Sequence, residues 1–122
     1  VGSEMCIRDS ADPHLPQPLW FKDYAVDVEQ ADPDSMFALY RAALAIRQES
    51  LTATRDTTAE QVDMGDDVVA YTRAAVGGRV FTSITNFGNA PVALPDGSVV
   101  LASGPLTPEG QLPTDTSAWV IK

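Results

Sequence analysis

Seventeen carboxylates, one histidine and one cysteine set the chemistry open to this 122-residue chain. Two carboxylates held at the proper separation could serve glycoside hydrolysis. The acids here are not gathered that way. Asp32, Asp34, Asp56, Asp66, Asp67, Asp96 and Asp115 all fall at predicted caps and turns. There a short carboxylate is favoured because it hydrogen-bonds the local backbone. The acids therefore read as turn chemistry on a solvated surface, and no residue is assigned as catalytic. Asp66-Asp67 precedes a strand, yet no loop with the alternating oxygen ligands of a calcium site surrounds it. Cys6 has no partner thiol and His14 cannot complete a site alone, so neither a metal nor a cofactor is expected. His14 also lacks a serine or cysteine nucleophile in an obvious context. It reads as a loop residue or as a lost substrate contact. Trp20, within Leu19-Trp20-Phe21, reads as a hydrophobic anchor pinning its loop or as a ring that stacks on a ligand. Gly77-Gly78 is too short for a phosphate-binding loop.

Charge narrows the partners. From Ala11 onward there are seven basic and fifteen acidic residues, a net charge of −8. Nucleic-acid binding rests on Lys and Arg contacts to phosphate, so an acidic chain without a basic cluster is not expected to bind it. An anionic membrane surface is disfavoured for the same reason. No run approaches the roughly 18 apolar residues of a membrane-spanning helix. With Cys6 set aside no disulfide can form, and a cytoplasmic location is the expectation. A hydrophobic content of 44% suits a globular core.

The elements that must position these residues change character near Ser50. Val1–Ser10 shows neither a helical nor a strand period, and Glu4, Arg8 and Asp9 interrupt any signal-peptide run. It resembles the in-frame translation of an adapter used in transposon-based sequencing libraries, and residues 1–10 are set aside from the fold on that basis. Asp12-Pro13-His14-Leu15-Pro16-Gln17-Pro18 is extended loop, because each proline fixes its own φ and restricts the residue before it. Asp32-Pro33-Asp34-Ser35 predicts a helix start with Asp32 as cap and Pro33 in the first turn. Met36, Leu39/Tyr40, Ala43/Leu44 and Arg47 then recur on one helical face, widened by Phe37 and Ile46. That face is broader than a small neighbouring β domain would cover.

After about Glu60 the pattern is that of short strands. Residues 68–73 and 79–85 flank Gly77-Gly78 and predict a hairpin. Val92-Ala93-Leu94 and Val99–Ala102 flank Pro95-Asp96-Gly97 and predict another. Residues 117–121 form a last strand. The expected class is α+β: a loop and a long amphipathic helix, then a small antiparallel all-β sandwich.

The stretch LPQPLWFKDYAVDVEQADPDSMFALYRAALAIRQES resembles the end of the catalytic barrel in α-glucosidases of glycoside hydrolase family 13, the α-amylase family. The similarity is carried by Leu15, Pro16, Val28 through Ser35, Leu39 to Arg41, Leu44, Ile46 and Arg47. The later VVAYTR, NFG, APV and LPTDTSAWVI segments are similar to the small β domain that ends those enzymes. His14 stands where many members carry Trp.

This resemblance implies that residues 11–50 are the end of a (β/α)8 barrel, with its last strand-to-helix loop and last helix. Residues 51–122 would be the C-terminal β domain. The family's catalytic carboxylates lie on earlier loops and map to nothing in this sequence. The expectation is the C-terminal, non-catalytic part of a cytoplasmic, retaining, exo-acting α-glucosidase. Its partner would be the missing N-terminal barrel, and the parent's substrate a maltose- or isomaltose-type oligosaccharide. The alternative is a free-standing β-sandwich carbohydrate-binding or protein-interaction module.

Overall fold

The computed structural model describes residues 18–52, 54, 55 and 57–122. Val1–Ser10, His14 with its proline loop up to Gln17, and Asp56 lie outside the described residues. The chain divides into two compact units, the first ending at Arg41 and the second running from Ala42 to Lys122.

In the first unit, a 3-10 turn over Leu19–Tyr24 leads into helix α1, Val26–Ala31. Helix α2, Met36–Ser50, begins in this unit and ends in the second. Ala, Leu, Met and Arg fill it, the residues that lose least side-chain freedom in a helix. Its start differs from the expectation. Asp32 Oδ1 accepts the Asp34 N–H (2.9 Å) within the preceding turn, before the helix begins at Met36. The cap is Ser35, whose Oγ accepts the Ala38 N–H at 3.2 Å. The Phe37 N–H donates to Glu29 Oε2 (3.1 Å). Pro33 turns the chain after α1, which brings Glu29 onto the second free N–H of α2 and leaves Ser35 nearest the third.

The second unit is built on one antiparallel sheet, ordered β1-β2-β3-β5-β4. The strands are β1 (Ala59–Val62), β2 (Val68–Ala74), β3 (Val80–Asn86), β4 (Ser98–Ala102) and β5 (Thr116–Ile121). The predicted β2–β3 hairpin is present. Gly77 and Gly78 take φ of 78° and 74°, a region open to glycine because it has no Cβ. Ala70, Ile84 and Ala118 lie opposite one another across β2, β3 and β5. With Val68 and Leu112 they form the buried centre of the inner face.

Two expectations are corrected here. The domain is one sheet among the described residues, not a two-sheet sandwich. Its inner face is covered by irregular segments that contribute Met64, Val92, Leu94 and Leu106. Those segments carry Pro91, Pro95, Pro105, Pro108 and Pro113. Proline has no N–H for a ladder, so these stretches cannot build a second sheet. The predicted pairing of Val92-Ala93-Leu94 with Val99–Ala102 is likewise absent. Val92 instead bridges Leu112, and β4 pairs with β5. Gly97 permits this, because a Cβ there would lie 2.7 Å from the Ile121 carbonyl oxygen.

Candidate functional site

The acidic residues are dispersed over the described part of the chain. Asp32 and Asp63 each accept a backbone N–H two residues on, from Asp34 and Gly65. Asp96 pairs with Lys122 Nζ at 3.1 Å, with both side chains largely exposed. Asp115 adopts φ 52° in the turn before β5. These are the local roles that short carboxylates take in turns. Among the described residues no three His, Cys, Asp or Glu side chains converge as metal ligands.

Trp20 lies on the 3-10 turn of the first unit. Its ring meets Phe21 edge-on at 4.5 Å and Tyr24 at 5.9 Å. Trp20 thus packs on both other rings, and all three remain substantially exposed. Edge-to-face pairs of this kind suit the aromatic quadrupole, so the cluster holds its own geometry. His14, the other loop candidate, lies outside the described residues.

A shallow depression of about 300 Å³ opens along β1, β2 and β3, between Thr58, Glu60, Thr72, Arg73 and Arg79. Its guanidinium groups have partners in the fold. Arg73 Nη2 donates to Thr54 Oγ1 (3.4 Å) and Arg79 Nε to the Val76 carbonyl (3.0 Å).

The most distinctive surface is the outer face of the sheet. Side chains alternate along a strand, so Val69 and Tyr71 of β2, Ser83 and Thr85 of β3, and Ser117 and Trp119 of β5 share this face. One end is covered: Ile46 and Leu51 pack with Trp119 against Phe81, Ala75 and Ile121. Phe81 and Trp119 meet edge-on at 5.2 Å. The other end is open. Tyr71 is 45% exposed, and Phe87, next in the β3 alternation, is 63% exposed. Thr85 Oγ1 and Ser117 Oγ lie 2.8 Å apart between these residues.

Phe87 is held by Asn86, which is wholly buried on the opposite face. Asn86 Nδ2 donates to the carbonyls of Ala90 (2.9 Å) and Leu112 (3.1 Å), and Oδ1 accepts the Gly88 N–H (2.9 Å). This network fixes the turn after β3. Sequence reading took Asn86-Phe87-Gly88-Asn89 only as a break between strands. It also missed the outer face, although Val68-Val69-Ala70-Tyr71 is apolar at successive positions and so signals a strand covered on both sides.

No protein-family model and no curated sequence matches the chain. Solved structures do. Trehalulose synthase MutB from Pseudomonas mesoacidophila MX-45 superposes with a TM-score of 0.69 at 25% identity. The match covers 93% of this chain and 22% of that one. Isomaltulose synthase SmuA from Protaminobacter rubrum gives 0.69 at 23%, over 92% of this chain and 22% of SmuA. Trehalose-6-phosphate hydrolase TreA from Bacillus licheniformis gives 0.70 at 20%, over 92% and 22%. These neighbours are glycoside hydrolase family 13 enzymes, and the five-stranded antiparallel domain matches the β domain at their C-terminal end. The chain spans less than a quarter of their length.

Proposed function

We propose that this chain is the C-terminal, non-catalytic part of a retaining, exo-acting α-glucosidase of glycoside hydrolase family 13. On this reading residues 11–50 complete the catalytic barrel, with α2 as its last outer helix. The β domain then follows the barrel. The parent hydrolyses maltose- or isomaltose-type oligosaccharides through a covalent glycosyl-enzyme intermediate, works in the cytoplasm, and supplies its catalytic carboxylates from upstream loops.

One observation carries the reading: 93% of the chain superposes on 22% of a much longer carbohydrate-active enzyme. The exposure of Met36, Tyr40 and Leu44 on α2 also supports it, since a helix built only to face water has no use for them.

The test is to extend the gene upstream and express the complete product beside the present chain. The full-length protein should release glucose from maltose, isomaltose or an aryl α-glucoside, and the chain alone should not. Turnover by the chain alone, abolished by replacing one of its own Asp or Glu residues, would overturn the assignment.

A further inference from the structure

We infer that Asp96-Gly97, in the turn before β4, is a self-modification site: its backbone isomerises through a cyclic imide to isoaspartate, and the product loosens β4 from β5.

The chemistry needs an aspartate whose carboxyl can reach the amide nitrogen of the next residue. Asp96 is the one aspartate of the sequence that precedes a glycine, and neither asparagine does. Glycine puts no side chain in the way of the attacking nitrogen. The Gly97 N–H donates no hydrogen bond among the described residues, so nothing has to be broken to free it. The Asp96 side chain is 89% exposed and is tied to Lys122 Nζ, itself on a side chain 67% exposed. An exposed pair of this kind holds its partners weakly. By contrast, Asp32 and Asp63 are engaged with the N–H groups of Asp34 and Gly65.

In the first step Gly97 N attacks Asp96 Cγ. The N–Cγ bond forms as the bond from Cγ to its hydroxyl breaks, and that hydroxyl leaves with the amide proton as water. In the second step water adds across the bond between Gly97 N and the Asp96 backbone carbonyl carbon. The chain then runs through Asp96 Cβ and Cγ, and the former backbone carbonyl becomes a free carboxylate. Water is the only co-reactant, and neither mass nor net charge changes.

The product backbone is longer by one methylene, and the fold has little room for it. Gly97 is pressed on β5 so closely that a Cβ would lie 2.7 Å from the Ile121 carbonyl oxygen and 2.8 Å from Val120 Cγ1. On the other side Pro95 has its φ fixed by its ring. The extra length is therefore taken up at the start of β4, where Ser98 lies opposite Ile121. Strand β4 is at the edge of the sheet with β5 as its one neighbour, whereas β5 is also paired along β3. The damage should stop at β4 and leave the rest of the sheet intact.

Ageing the present chain in warm, mildly acidic buffer tests this. Electron-transfer fragmentation of its peptides locates isoaspartate despite the unchanged mass. Isoaspartate should accumulate at Asp96 severalfold faster than at Asp63, Asp66, Asp67 or Asp115. In the aged chain amide exchange should quicken severalfold over 98–101 and stay unchanged in β2 and β3. Asp96→Glu lengthens the side chain and should abolish both changes. If a peptide spanning residues 92–101 isomerises while the folded chain does not, the fold protects the bond and the inference fails. It fails equally if isoaspartate forms at Asp96 without faster exchange in β4, or if β4 loosens just as much in aged Asp96→Glu.

Discussion

Replacing Asn86 by alanine should be among the most damaging single changes to the β domain. The side chain is fully buried and makes three hydrogen bonds to backbone groups. Their losses differ. Ala90 is exposed, so its carbonyl can turn to water. Leu112 is completely buried, but its carbonyl keeps the Val92 N–H at 3.0 Å. The Gly88 N–H is left without its acceptor: Gly88 is buried, and even an added Cβ there would lie only 3.2 Å from Asp67 Cβ. An unsatisfied buried donor costs about 1–3 kcal/mol and each remaining hydrogen bond about 0.5–1.5 kcal/mol, so the loss should be about 3 kcal/mol. Natural domains have only about 5–15 kcal/mol in total. Urea unfolding should show a lower midpoint with an unchanged slope, the signature of lost stability without a change in exposed area. Thr85→Val is the control: it breaks the half-exposed hydroxyl pair and should cost less than about 1 kcal/mol. If Asn86→Ala costs no more than Thr85→Val, the network does not hold the turn, and the account of how Phe87 is presented is wrong.

Ile84→Ala, at the fully buried centre of the inner face, should cost about 3–5 kcal/mol, since Ala70 and Ala118 beside it are too small to fill the gap; thermal unfolding measures it. Gly97→Ala should cost more than about 1 kcal/mol, because its Cβ would meet the Ile121 carbonyl and Val120 at φ 142°; amide exchange should show β4 freed from β5. Ser35→Ala should cost about 1 kcal/mol of helix stability, seen as reduced far-ultraviolet circular dichroism and faster amide exchange at the start of α2. Lys122→Met should change stability by less than about 1 kcal/mol, since the Asp96 pair is largely exposed; an effect of that size or more would mean the terminal strand depends on that pair.

The sequence by itself determined the features that depend on neighbours along the chain. The apolar face of α2, the strands after Val68, and the turn at Gly77-Gly78 are written in periods of a few residues and in glycine's access to positive φ. The ADPDS-to-helix stretch was specific enough to point to a family whose fold the solved neighbours share. Strand β1 was not legible, because Ala59-Glu60-Gln61-Val62 lies mostly exposed at the sheet edge and needs no alternating pattern. Ser35 rather than Asp32 became the cap because the turn at Pro33 brought Glu29 to the helix start, a placement that spacing cannot register. The tertiary structure alone decided that β4 joins β5, that Val92 meets Leu112, and that a single sheet has one face closed and the other half open. Local periodicity says that a side chain must be buried. What buries it is chosen by contacts between segments far apart in sequence, where proline forbids some pairings and close packing selects among the rest.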